Sequence, residues 1–160
     1  MLDPAAVAVL VRFLAFLGFN GKAYHEKRSF MGGKMGRKIT GDLITFVDDG
    51  LDPAGMPMPF DYEGVPKTRV VFIDKGVATG MCTDTAVAAA EGTKSTGHAL
   101  PASSSFGPVP LNLQMAPGAS SLDEMIASTP KGLYACNFHY ANVAEPMKTV
   151  VTGMTRFGLF

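Results

Sequence analysis

The opening stretch "AAVAVLVRFLAFL", Ala5 to Leu17, is apolar at every position except Arg12. Asp3 and Pro4 precede it as an N-cap acceptor and a proline at the first helical position, where the missing N–H costs nothing, and Gly18 ends it. A helix with no polar face needs cover nearly all round. That need constrains the fold more than any other feature, because so apolar a rod asks for more covering protein than a small chain supplies. At thirteen residues the stretch is shorter than the roughly 17 to 25 that span a bilayer. The acidic start Met1-Leu2-Asp3-Pro4 is not the basic head of a signal peptide. The expectation is a cytoplasmic chain with no membrane contact.

Beyond the helix, eighteen glycines and eleven prolines in 160 residues predict many turns between short strands. Residues 20–41 read as a glycine-dotted loop, and Leu43 to Val47 as a strand closed by Asp48-Asp49-Gly50. "TRVVFIDKGVATGMC" predicts a hairpin around a three-residue loop, Asp74-Lys75-Gly76. "TDTAVAAAEG" predicts a short helix capped by Thr83 or Thr85 and stopped at Gly92, and "LNLQMA" a strand. Ser121 and Glu124 fit a capping box opening a second short helix. "GLYACNFHYANV" and "KTVVTGMT" read as strands, and Phe157, Leu159 and Phe160 in "RFGLF" as the entry to another. The fold class is therefore α+β: a strand-rich, mixed-sheet fragment with a buried N-terminal helix and two short helices, residues 1–160 forming one partial domain.

Fourteen basic residues balance fourteen acidic ones with no run of either sign, which argues against a nucleic-acid partner. The two cysteines, Cys82 and Cys136, are too few for a disulfide framework and suit a reducing compartment. His25-Glu26 is half of a helical zinc motif, but Ser29 stands where the second histidine belongs. Cys136 and His139 are three apart on a predicted strand and so point to opposite faces. Asp48, Asp49, Asp52, Asp61 and Glu63 lack calcium-loop spacing and read as solvated turn acids. "KSTGHA" places Ser95, Thr96, Gly97 and His98 together. Two readings fit that loop: hydroxyls and imidazole satisfying the backbone, or contact with a peptide or partner, with a Ser95/His98 hydrolase as a further alternative.

Seven segments in order resemble the TldD/PmbA family, once named modulators of DNA gyrase: "LDPAAVAVLVRFLA", "RSFMGGKMGRKI", "DLITFVDDG", "PFDYEGVPKTR", "KSTGHALP", "PKGLYACNFHY" and "VVTGMTRFGLF". The resemblance runs nearly end to end and implies the middle of a longer family chain, lacking an N-terminal domain and a C-terminal portion. It further implies a cytoplasmic peptidase system for peptides and unfolded proteins, in which a zinc-bearing TldD-type subunit pairs with a PmbA/TldE-type subunit. The family's His-Glu-x-x-x-His motif belongs on the helix that here reads "AVAVLVRFLAFLGF", which holds neither residue. "KSTGHA" and "FDYEGV" side with the PmbA type. The expectation is a non-catalytic subunit with no cofactor of its own, a zinc-bearing TldD-type partner and an extended peptide substrate. The alternatives are a divergent hydrolase using a metal set drawn from His25, His98, His139 and the cysteines, and an inactive structural remnant.

Overall fold

The computed structural model describes residues 1–159; Phe160, the last residue of the expected terminal strand entry, lies outside them. The chain divides into two compact units, one of Leu14–Ala116 and one of residues 1–13 together with residues from 117 on.

The apolar opening is helix α1, Pro4–Leu17. Asp3 caps it, its Oδ1 accepting from the Ala5 N–H at 3.0 Å. This bond, followed by one from the Tyr134 hydroxyl, holds the Asp3 carboxyl below the usual range. Cover is less complete than its composition demands. Ala6 and Ala15 are buried, whereas Ala5, Ala8 and Arg12 are exposed and the other apolar positions lie between. An all-apolar helix has more surface to hide than a chain of this size encloses.

The Leu14–Ala116 unit carries a four-stranded antiparallel sheet, in the order β3 (Val77–Ala78), β2 (Val70–Asp74), β1 (Phe46–Asp48), β4 (Leu113–Met115). Strand β1 begins later than its apolar run suggests. Leu43 is 90% exposed in a turn, and Asp48 is inside the strand instead of closing it. Named strands pair antiparallel, and among the described residues parallel pairing is confined to bridges at Leu2–Ala135 and Asn20–Cys82. Four phenylalanines fill the core. Phe19 stacks on Phe72 at 4.5 Å, with Phe46 and Phe30 packed around it at 5.6 and 5.9 Å.

The expected hairpin forms with a tighter turn. Asp74 pairs with Val77, which leaves Lys75 and Gly76 as a two-residue loop at φ 45° and 84°, the geometry whose twist matches the flanking strands. The glycine is doubly required, since a Cβ on Gly76 would lie 2.5 Å from the Thr40 carbonyl oxygen.

Residues 20–41 are not all loop. Helix α2, Gly21–His25, is capped by the buried Asn20, whose Oδ1 accepts from Ala23 N–H at 3.2 Å. Among the described residues there are three short helices instead of two. The next, α3 (Thr85–Glu91), is capped by Asp84 and not by Thr83 or Thr85, and ends on left-handed Gly92 as expected. A carboxylate outcompetes the neighbouring hydroxyls because it is ionised and accepts more strongly.

In the other unit α4, Leu122–Ala127, opens with the capping box of Ser121 and Glu124. Strands β5 (Ala135–Glu145) and β6 (Val150–Leu159) form an antiparallel ribbon around a 3-10 turn, Pro146–Lys148. The N-terminus lies along its start, Asp3 N–H donating to Ala135 O at 3.0 Å.

Gly76→Ala is expected to destabilise the chain by about 1–3 kcal/mol, the range for an L residue forced into a strained backbone region. Denaturant unfolding of the variant checks this.

Candidate functional site

The 95–98 turn folds inward. His98 is 1% exposed, Gly97 is buried, and Ser95 and Thr96 are half-buried. Gly97 sits at φ 75°, where a Cβ would stand 2.5 Å from the Pro66 carbonyl oxygen, so the residue lets two backbones touch.

The imidazole lies between two partners. Nε2 is 3.0 Å from Asp48 Oδ2, and Nδ1 is 2.9 Å from Thr96 Oγ1. Asp48 is fully buried, and its other oxygen accepts from the Asn112 N–H at 2.7 Å. A buried carboxylate needs donors, so it takes the Nε2–H, and Nδ1 shares a hydrogen bond with the Thr96 hydroxyl. Thr96 Oγ1 also accepts from Thr83 N–H at 2.7 Å and lies 3.1 Å from the Thr83 carbonyl oxygen. Ser95 Oγ donates to that carbonyl at 3.2 Å and accepts from Gly97 N–H. The hydroxyl on the imidazole is therefore Thr96 and not Ser95, which removes the geometric basis of a Ser95/His98 pair.

Hydroxyl, imidazole and carboxylate are connected here as in a hydrolase triad. The chemistry differs in that the His98 and Asp48 side chains have no exposed surface, so no substrate reaches them. What the arrangement does is fasten: it binds β1 to the 95–98 turn and, through Asn112, to the segment entering β4. Asn112 extends the clamp, donating from Nδ2 to the Asp49 and Asp52 carbonyls and accepting from Met56 N–H at 2.8 Å.

Asp61 works in the same way. It is 3% exposed, and its carboxylate accepts from the N–H groups of Glu63, Val65 and Ala99, each at 2.9 Å. Asp48 and Asp61 are thus not solvated turn acids. Sequence reasoning also passed over Asn112 and Thr83. The available signal was the type of residue, since Asp and Asn in turns bond backbone N–H groups, but not the burial.

Cys82 lies against this cluster, its thiol donating to Phe19 O at 3.0 Å. Burial pushes the thiol well above its ordinary 9.0, and the Asp48 charge adds to the rise. Lys67 runs its stem over Gly50, and its buried Nζ has no hydrogen-bond partner among the described residues.

The remaining candidates are scattered. His25 is exposed at the end of α2, and Glu26 pairs with Arg28. Ser29 is buried, donating to Gly18 O at 2.8 Å and accepting from Met31 N–H at 3.0 Å. His139, on β5, packs on Tyr140 with its Nδ1 3.1 Å from Arg156 Nη1. Half-buried Cys136 lies on the same strand.

Sequence and fold together match those of a peptidase-related domain. Residues 1–160 match the family model described as the PmbA/TldA metallopeptidase C-terminal domain, and the chain belongs to that family, the TldD/PmbA family. The metalloprotease TldD homolog of Haemophilus influenzae is 34% identical over 124 residues, 76% of this chain and 26% of that protein. This chain thus spans about a quarter of the length of that relative. The crystal structure of TldE from Thermococcus kodakarensis superposes with a TM-score of 0.79 at 27% identity, covering 91% of this chain and 34% of that one. A Thermotoga maritima protein bearing the name modulator of a DNA gyrase shares the fold, with a TM-score of 0.78 at 24% identity over 86% of this chain and 31% of its own.

A metallopeptidase family implies a metal, and this chain's donors do not fit one. Among the described residues no three His, Cys, Asp or Glu side chains converge. Both His98 nitrogens are occupied, and α1 carries no ligating side chain.

Asp48→Asn leaves one oxygen to serve two buried donors and should lower stability by about 1–3 kcal/mol, read from denaturant unfolding. The raised Cys82 thiol makes a second prediction. The folded state keeps its proton while the unfolded chain releases it, so this contribution is full below the ordinary thiol pKa and drains away as pH rises above it. Under native conditions at about pH 8, near the free-thiol pKa, Cys136 should alkylate first and Cys82 only as the chain unfolds, as mass spectrometry of labelled peptides would report.

Proposed function

We propose that this chain is the PmbA/TldE-like, non-catalytic subunit of a two-subunit metallopeptidase that processes peptides and unfolded proteins in the cytoplasm. Its TldD-type partner carries the zinc and performs the hydrolysis. One observation carries the reading. Helix α1, on which the family resemblance would put the zinc motif, has the sequence PAAVAVLVRFLAFL, with neither histidine nor glutamate. Without imidazoles there is nothing to hold Zn²⁺ and lower the pKa of its water, and without the glutamate there is no general base. The likeness to TldE supports the same assignment; the identity to a TldD homolog supports the family without choosing between its members.

The supporting role is to hold substrate. Extended peptides of varied sequence are best gripped through the main chain, by addition to a sheet edge. In the 95–98 turn, Ser95 and Thr96 keep enough surface to contact a peptide or partner, while Gly97 and His98 fix the turn from within.

The test compares the chain alone with the chain co-purified with a TldD-type partner. Alone it should contain no stoichiometric zinc and leave denatured casein intact; with the partner, zinc and chelator-sensitive cleavage should both appear. Stoichiometric zinc in the isolated chain, by elemental analysis, overturns the assignment.

A further inference from the structure

We infer that the outer edge of the four-stranded sheet, at residues 36–39, is a docking site for carboxylate-rich extended peptides. The inference rests on the peptide-handling reading above and names the class of peptide and the place.

Residues 36–39 lie antiparallel along β3, joined to it by an isolated bridge at Lys38. Gly36 N–H donates to Ala78 O at 2.8 Å, Ala78 N–H to Arg37 O at 3.0 Å, and Ile39 N–H to Gly76 O at 2.8 Å. Lys38 faces Val77 between the last two of these bonds. In an antiparallel ladder that position is the non-hydrogen-bonded pair, whose own N–H and C=O point away from the partner strand. Val77 spends its groups on β2. The N–H and C=O of Lys38 point outward, and neither takes a backbone partner among the described residues. They form a ready main-chain contact for another extended segment.

Charge decides which segment. The whole chain is neutral, yet residues 22–42 hold six basic residues against two acids, Glu26 and Asp42. Those acids are already engaged, Glu26 with Arg28 and Asp42 with Lys38. Lys27, Lys34 and Arg37 are exposed and have no carboxylate within ion-pair reach among the described residues, and exposed Lys75 adds a fourth cation at the neighbouring hairpin turn. Rigid backing holds the edge in place. Met31 is fully buried and the Gly36 N–H bonds to Ala78 O, so the loop is held on both sides of Lys34. Arg37 adjoins Lys38 in the chain and Lys34 lies four residues before it, while at the hairpin turn Lys75 stands beside exposed Asp74; a peptide bearing glutamates on alternate residues presents a row of carboxylates to this stretch.

The experiment measures fluorescence anisotropy of a short labelled peptide of alternating glutamate and valine, titrated with the full chain. A lysine–valine peptide, a backbone N-methylated glutamate–valine peptide and a single-stranded oligonucleotide are run in parallel. The acidic peptide should bind in a salt-sensitive way, the lysine peptide should not, and N-methylation should weaken binding. The double substitution Arg37→Glu, Lys34→Glu, at exposed sites, should lower affinity roughly tenfold or more, with the thermal transition unchanged. Equal binding of both peptides overturns the charge assignment, and indifference to N-methylation overturns strand addition. Equal or tighter binding of the oligonucleotide makes the surface a general polyanion site and overturns the peptide assignment. None of these readouts needs zinc, a partner subunit or cleavage, so the docking site and the subunit assignment can fail separately.

Discussion

The Leu14–Ala116 unit depends on a carboxylate buried in the middle of its sheet. Asp48 is tolerable there because each oxygen has a directed donor, Nε2–H of His98 for one and the Asn112 N–H for the other. Asp61 repeats the solution one residue along, accepting from Ala99 N–H. Two buried acids from separate segments thus hold consecutive residues, His98 and Ala99. The long connections that a glycine- and proline-rich chain produces are fixed by polar side chains where regular structure is scarce. Removing either acid strands donors that nothing nearby can satisfy, which makes these bonds harder to lose than their individual strength suggests.

Aromatic packing supplies the complementary half. Phe19 and Phe72 lie stacked and fully buried, and the close approach of Phe30 is possible because Gly18 has no side chain: a Cβ there would stand 1.8 Å from the ring. The glycine that ends α1 therefore sets the packing of the first core aromatic as well as the helix boundary. Cys82 joins the two halves, donating to the Phe19 carbonyl while feeling the Asp48 charge.

Features encoded in adjacent residues were legible in the sequence. The β2–β3 hairpin, the Ser121–Glu124 box and the Gly92 stop each depend on a few neighbouring positions, and each formed. Errors arose where distant residues decide. The strand register of Asp48 is fixed by pairing with Val70 and Leu113, so its place within β1 is invisible from "FVDDG" alone. The small helix α2 carries too few residues to show a period, and its signal is the single cap Asn20. The chemistry of "KSTGHA" depends on an aspartate fifty residues away, and spacing cannot reveal that an imidazole is sealed. The cationic stretch escaped notice because the acids that balance it in the total lie in other segments.

Saturation of the interior bears on the division of labour proposed for this chain. A group that catalyses must be free to bind or exchange a proton with something arriving from outside, and here the His98 and Asp48 side chains have no exposed surface and, with Thr96, are bonded to one another, to Thr83 and to Asn112. Using any of them would first require breaking a buried network whose members support the sheet. Besides the buried Lys67 Nζ and Gln114 Nε2, groups left uncommitted lie outside: the main-chain groups of Lys38 at a sheet edge, and exposed cations of the same stretch. Such groups suit binding an extended chain, since they offer hydrogen bonds and charge without a nucleophile or a general base. A rigid polar interior beneath an unsaturated edge is the distribution a subunit needs if it presents peptides to a metal centre held by another.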